Sequence, residues 1–147
     1  MNKRRAVIQV SLVAVAAALY YLALVWAMTL LAIIPVNNHE LDGASRLLLM
    51  SLKHGGAVAA ASVPFVLSIR ALRLERPVVV ALSIALLGGV LPVLTNVLLY
   101  QSSFVGSWMN AADIFKLAAT LPLLTWLSYR LVPSNNSFKP TPLRGAA

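Results

Sequence analysis

The sequence predicts an all-α membrane protein: four transmembrane helices in two hairpins, with both termini on the cytoplasmic side. Three observations lead there. Of 147 residues, 60% are hydrophobic and only 11% charged, against roughly 45–50% and 25% in soluble domains. The excess is gathered into uninterrupted runs: Ala6 to Val36 is 31 residues without a charge and Val78 to Tyr100 is another 23, where about 20 cross the ~30 Å hydrocarbon layer. A short basic turn, Arg70-Ala71-Leu72-Arg73-Leu74-Glu75-Arg76-Pro77, separates two apolar stretches. It must lie in water while its neighbours do not, and its arginines assign that water to the cytoplasm by the positive-inside bias.

The predicted spans run over about 8–34, 53–74, 78–100 and 110–132, within a membrane domain of residues 1–133. The first comes after Met1-Asn2-Lys3-Arg4-Arg5, as a secretory signal would. Its apolar run is about twice the 7–15 residues of a signal's core, so it reads as an uncleaved helix. Ser11, Ala14, Ala18, Tyr21, Val25 and Ala32 share one helical face. Small residues let backbones approach where lipid removes the hydrophobic drive. That face is therefore expected to turn inward, with the Tyr21 hydroxyl in the bundle.

Pro35-Val36-Asn37-Asn38 ends this helix, and Asn38 is the expected N-cap of the next, with Glu40 and Asp42 in its first turn. Two arrangements fit the stretch beyond Asn38. One is a single long helix from about His39 to Leu74; the other is an amphipathic segment on the outer surface with the span starting near Lys53. The first is favoured because Gly55 to Ile69 is short for a span by itself, with Lys53 and Arg70 able to snorkel. Gly56 and Ala60 offer a small-xxx-small contact, and Pro64 is expected to kink the helix.

Pro77 opens the third helix, where its missing N–H is harmless. Ala81, Ala85, Gly88, Gly89, Pro92, Thr95 and Asn96 then fall within an arc of about 120° at 100° per residue. This small face is the expected helix-packing surface, and Asn96 can hydrogen-bond across it. Gln101 to Ser107 makes an uncharged outer loop. Trp108 marks one interface, Trp126 with Tyr129 the other, and Asn110 with Asp113 resembles a capping box opening the fourth span.

With both termini inside, nine basic residues (Lys3, Arg4, Arg5, Arg70, Arg73, Arg76, Arg130, Lys139, Arg144) face the cytoplasm and three (Arg46, Lys53, Lys116) face outward. The net charge of +8 thus suits anionic headgroups. With 7% aromatics and cations spread over the ends of apolar runs, nucleic acid is not an expected partner. No cysteine is present, which excludes disulfides, thiol nucleophiles and zinc–thiolate sites.

Residues 134–147 are polar and proline-containing and are expected to form a disordered cytoplasmic tail. Asn-Asn-Ser-Phe-Lys-Pro-Thr-Pro-Leu-Arg-Gly-Ala-Ala, Asn135 to Ala147, resembles the ending shared by many otherwise unrelated bacterial integron-cassette proteins. Such endings arise where a reading frame runs into the cassette's recombination site. The resemblance implies a bacterial, mobile, accessory gene, and hence the bacterial inner membrane, but no activity.

An ionisable residue within a span is a functional candidate by default. Asp113 and Lys116 are such a pair, three apart and on the face of Thr120. They read either as part of an ion or proton pathway or as a neutralised pair in the first turn of the fourth helix, and the capping pattern favours the second. His39 and His54 show no ligand spacing, so no metal and no cofactor is expected. The serines lack triad partners and Gly88-Gly89 is not a phosphate loop. In size the chain also resembles the small multidrug-resistance transporters, which work as dimers and need a glutamate in the first helix. Ala6 to Val36 contains no acid, so that likeness is of size alone. The expected function is a non-enzymatic accessory role through helix packing with itself or other membrane proteins. The alternative is an oligomeric small-solute or ion transporter or channel using Asp113 and Lys116.

Overall fold

The computed structural model describes residues 3–33, 42–74, 76–100 and 108–131. The expectations for Pro35 to Asn38, Glu40, Gln101 to Ser107 and the tail lie outside these residues, as do the side chains of Ala32, Asn96, Trp108 and Asn110. Every described element is helical: α1 (Lys3–Ile33), α2 (Gly43–Ala71), α3 (Pro77–Ala85), a π-helical turn (Leu86–Val90), α4 (Leu91–Tyr100) and α5 (Trp108–Leu131). Leu86 and Leu91 keep right-handed helical backbone, so α3, the π turn and α4 form one continuous rod. Three stretches are long and apolar enough to cross a membrane: Ile8–Leu31, Gly43–Ala71 and Pro77–Thr95. The 24 residues of α5 are long enough at about 1.5 Å each. Asp113, Lys116, Arg130 and its hydroxyl residues keep that helix out of the set of three.

Contacts fix the directions of the rods. Leu12 to Leu19 of α1 line one groove with Phe65 to Leu72 of α2, and Tyr20 reaches back to Ser62, so α1 and α2 are antiparallel. Ala17 meets Gly88 further along from Val80, so α1 and α3 run the same way. His54 meets Asp113 and Arg70 meets Ser128, so α2 and α5 are parallel. Both α1 and α5 pack on α2 and on the third rod.

Large apolar side chains cover the outside of the bundle as well as its centre. Val15, Leu19, Leu22, Trp26 and Leu30 are exposed along α1, whereas the fully buried side chains include Tyr20, Ser62 and Thr125. Each of those polar groups has a partner. The Ser62 hydroxyl donates to the Val58 carbonyl at 2.7 Å. Its one proton is thereby used, so the Tyr20 hydroxyl, 3.1 Å away, is the donor to Ser62 Oγ. Thr125 donates to the Leu121 carbonyl at 2.8 Å. The Tyr20 ring meets Phe65 edge to face, centroids 5.2 Å apart.

This overturns the expected inner face of α1. Ala17, Tyr20 and Leu24 are buried, while Ser11, Ala14, Ala18, Tyr21 and Val25 are exposed. Tyrosines one residue apart differ by about 100° around a helix. The one with a hydroxyl partner across the bundle is Tyr20.

Ala81, Ala85, Gly88 and Gly89 of the third rod are buried, but Pro92 is half-buried and Thr95 exposed. The π turn is the cause. Pro92 has no N–H for the Gly88 carbonyl and its ring would crowd that oxygen. The chain widens instead, and the Leu91 N–H bonds the Leu86 carbonyl five residues back. One extra residue in the turn moves everything beyond it off the predicted arc, and Val93 packs on the core.

Helix α2 is continuous through Lys53, Gly55 and Pro64, the single-helix arrangement rather than a span beginning near residue 53. Its N-cap is Asp42, whose carboxylate accepts from the Ser45 N–H at 2.9 Å. Hydrogen bonds from the Ser45 side chain and backbone hold that carboxyl below its usual range. The cap is present above the ordinary carboxylate range and is lost as pH falls through the lowered value. At the far end, Arg73 and Arg76 adopt left-handed backbone (φ 47° and 55°), turning the chain before Pro77.

The two glycines of the π turn are not equivalent. A Cβ on Gly88 would run into the Ala17 carbonyl oxygen, with that carbonyl's carbon 3.0 Å away, whereas on Gly89 it would touch Leu117 and Tyr20 at an ordinary 3.6 Å. Gly88→Ala is therefore expected to destabilise the fold by about 1–3 kcal/mol and Gly89→Ala far less, read from unfolding in mixed micelles. In the same assay Tyr20→Phe should cost about 0.5–1.5 kcal/mol and Tyr21→Phe nothing measurable.

Candidate functional site

The site forms where the N-terminal parts of α2 and α5 meet. Helix α5 begins at Trp108, three residues earlier than a cap at Asn110 would allow. Asp113 therefore lies beyond the first turn, and its partners are side chains instead of helix amides. Its Oδ1 accepts from His54 Nδ1 at 2.8 Å and from Lys116 Nζ at 2.8 Å. As a carboxylate it is acceptor-only, so His54 presents Nδ1–H to it in whichever protonation state. Lys116 Nζ also donates to Ser51 Oγ at 2.6 Å and to the Ser51 carbonyl at 3.3 Å. Thr120, expected on the same face, donates to the Lys116 carbonyl at 2.7 Å. One carboxylate oxygen thus gathers an imidazole and an ammonium, and the ammonium anchors back on α2.

The cluster is partly covered: side-chain exposures are 22% for His54, 33% for Asp113 and 23% for Lys116. Above it opens a cleft of about 580 Å³ lined by Ala44, Leu47, Leu48, Met50, Ser51, Ala112, Asp113 and Lys116. Apolar walls with a few convergent polar groups at the floor are the usual make-up of a small-molecule site. Along α2 the lining runs from Ala44 to Ser51, about 10 Å of the helix axis. His54 stands just beyond it, joined to the cleft through Asp113. Chemically, the site can pair with cations through Asp113, with anions through Lys116, and can exchange a proton at His54.

Of the residues singled out from sequence, the structure brings Asp113 and Lys116 together. Ala81, Ala85, Gly88 and Gly89 lie elsewhere, at the packing of the third rod on α1 and α5. Asn96 is on α4, with its side chain outside the described residues. His54 and Ser51 are members that the sequence alone does not reveal. His54 is 59 residues from Asp113 in the chain and Ser51 is 65 from Lys116, so no local spacing joins them. Among the described residues no group of three or more His, Asp or Glu could hold a metal ion.

A scan against protein-family models and searches of curated proteins and of solved structures find no match to this chain. The site's chemistry is therefore read from its own geometry.

The partly exposed His54–Asp113 link should be weak on its own. A double-mutant cycle on His54→Ala and Asp113→Ala is expected to give a coupling of about 0.5–1 kcal/mol. It is read from unfolding at neutral pH, and should shrink as salt is raised.

Proposed function

We propose that this chain is a four-span protein of a bacterial inner membrane, both termini cytoplasmic, that takes a small solute or ion at the His54–Asp113–Lys116 site. The observation that carries this reading is the cleft itself: about 580 Å³ of mostly apolar wall with Asp113, Lys116 and Ser51 on it. An ion pair serving only to cap α5 would need no such space, and Asp113 does not sit in the first turn. The alternating rod directions suit two hairpins. The bias of nine basic residues to three supports the orientation, which opens the cleft on the outer side. The Asn135 to Ala147 ending supports a bacterial, accessory setting. No covalent chemistry is assigned; the role is passage or binding.

A second reading, assembly through helix packing, draws on a different observation. Ala14 and Ala18, four apart with Ser11 beside them, lie exposed on α1, a small-xxx-small face that another helix could meet in lipid. Oxidative cross-linking of Ala14→Cys in membranes should then trap a dimer, and a monomer throughout would remove this reading.

For the site, vesicles carrying the chain should pass protons or a lipophilic cation dye faster than empty vesicles. Asp113→Asn should slow that flux by about tenfold, while Gly43→Ala, in open space, leaves it intact. Vesicles without flux, or flux unchanged in Asp113→Asn, would overturn the proposal.

A further inference from the structure

The opposite end of the bundle carries a second recess. It is a groove of about 190 Å³ between α1, α2 and α3, walled by Leu12, Leu19, Phe65, Leu72, Leu74 and Val80 among others. Leu12, Leu19 and Leu72 are each more than two-fifths exposed, so the groove opens to the outside of the bundle. One hydroxyl stands on its wall, Ser68, and it is already turned to the Pro64 carbonyl at 2.8 Å. The groove is smaller than the ~300–1,000 Å³ of a site for a whole drug-sized molecule and has almost nothing polar to offer. Part of an alkyl chain suits it.

The basic turn is continuous in sequence with its wall. The leucines at its mouth, Leu72 and Leu74, flank Arg73, and Arg76 comes just before α3. Both arginines are exposed and both hold left-handed backbone, a conformation that is uncommon for non-glycine residues and worth explaining. Neither has an ion-pair partner among the described residues. Helix α1 begins at this same end with Lys3, Arg4 and Arg5. A guanidinium pair suits phosphate oxygens, which it can bind through parallel N–H donors. Where apolar wall gives way to arginine, a lipid's chain likewise gives way to its phosphate.

We propose that this groove is a binding site for an anionic glycerophospholipid, one acyl chain against Leu12, Leu19, Phe65 and Val80 and the headgroup phosphate on Arg73 and Arg76. The site is separate from the His54–Asp113–Lys116 cleft, and its occupancy stands or falls independently of any flux. Basic recesses between membrane helices recognise anionic headgroups in this way. The turn's shape fits the role: alternating leucine and arginine over Leu72 to Leu74 place an apolar wall and a cationic rim within three residues.

The test is native mass spectrometry of the full chain released from micelles doped with equal dioleoyl phosphatidylglycerol and dioleoyl phosphatidylcholine. The phosphatidylglycerol adduct should be retained about tenfold more. The double variant Arg73→Asn with Arg76→Asn should abolish that preference, asparagine being tolerant of left-handed backbone so that the turn is kept. Arg73→Lys with Arg76→Lys should retain most of it. Ala16→Phe, which puts bulk into the groove, should lower retention of both lipids. Glycerol phosphate, a headgroup without chains, should neither bind nor compete. Equal retention of the two lipids, an unchanged preference in the asparagine variant, or competition by glycerol phosphate would each overturn the assignment.

Discussion

The hydrogen bond from Tyr20 to Ser62 is the interaction on which the rest of the bundle depends. In lipid, apolar side chains gain nothing by leaving the solvent for a neighbour, so helices need close backbone approach or a polar link to stay together. Tyr20 supplies both kinds of contact. Its hydroxyl reaches α2, its ring stands edge-on to Phe65, and Gly89 of the third rod lies beside it. Gly88, one residue earlier, lets that rod settle on the Ala17 backbone. Three rods thus meet at one depth, and α5 closes over them with Leu117 and Leu121 in the same core.

Helix α5 is held differently, by clasps at two levels on α2. Toward one end the His54–Asp113 and Lys116–Ser51 contacts join the helices. Toward the other, Arg70 donates to the Ser128 carbonyl and stands 5.8 Å over the Tyr129 ring. These directed polar contacts hold α5 on α2 and also fix its register. The same contacts that dock α5 place a carboxylate and an ammonium in the floor of the cleft. Packing and candidate chemistry share residues here.

How much of this is legible in the sequence depends on whether the signal is local. Apolar run length marks the long rods, and Pro77 marks the start of the third. Ala81, Ala85, Gly88 and Gly89 are legible as an inner face because leucine, valine and isoleucine dominate the rest of that helix. The same reasoning misplaces the inner face of α1, where nearly every position is apolar and small residues occur all round. With no contrast between faces, only the partner across the bundle distinguishes Tyr20 from Tyr21. His54 is illegible as a site residue for the same reason on a larger scale, since its partner is on another helix. Asp113 stands out in the sequence, but a helix boundary misplaced by three residues assigns it to a cap.

The π turn has a geometric consequence for the third rod as a whole. A turn with one surplus residue acts as a phase slip, so the stretch before it and the stretch after it are indexed separately around the axis. Ala81 and Ala85 obey one register, Val93 another. Loss of a single amino acid between Leu86 and Val90 would bring the two registers back into step. Either the α3 half or the α4 half would then swing by roughly a quarter of a revolution, turning a different set of side chains toward the core on one side of the break.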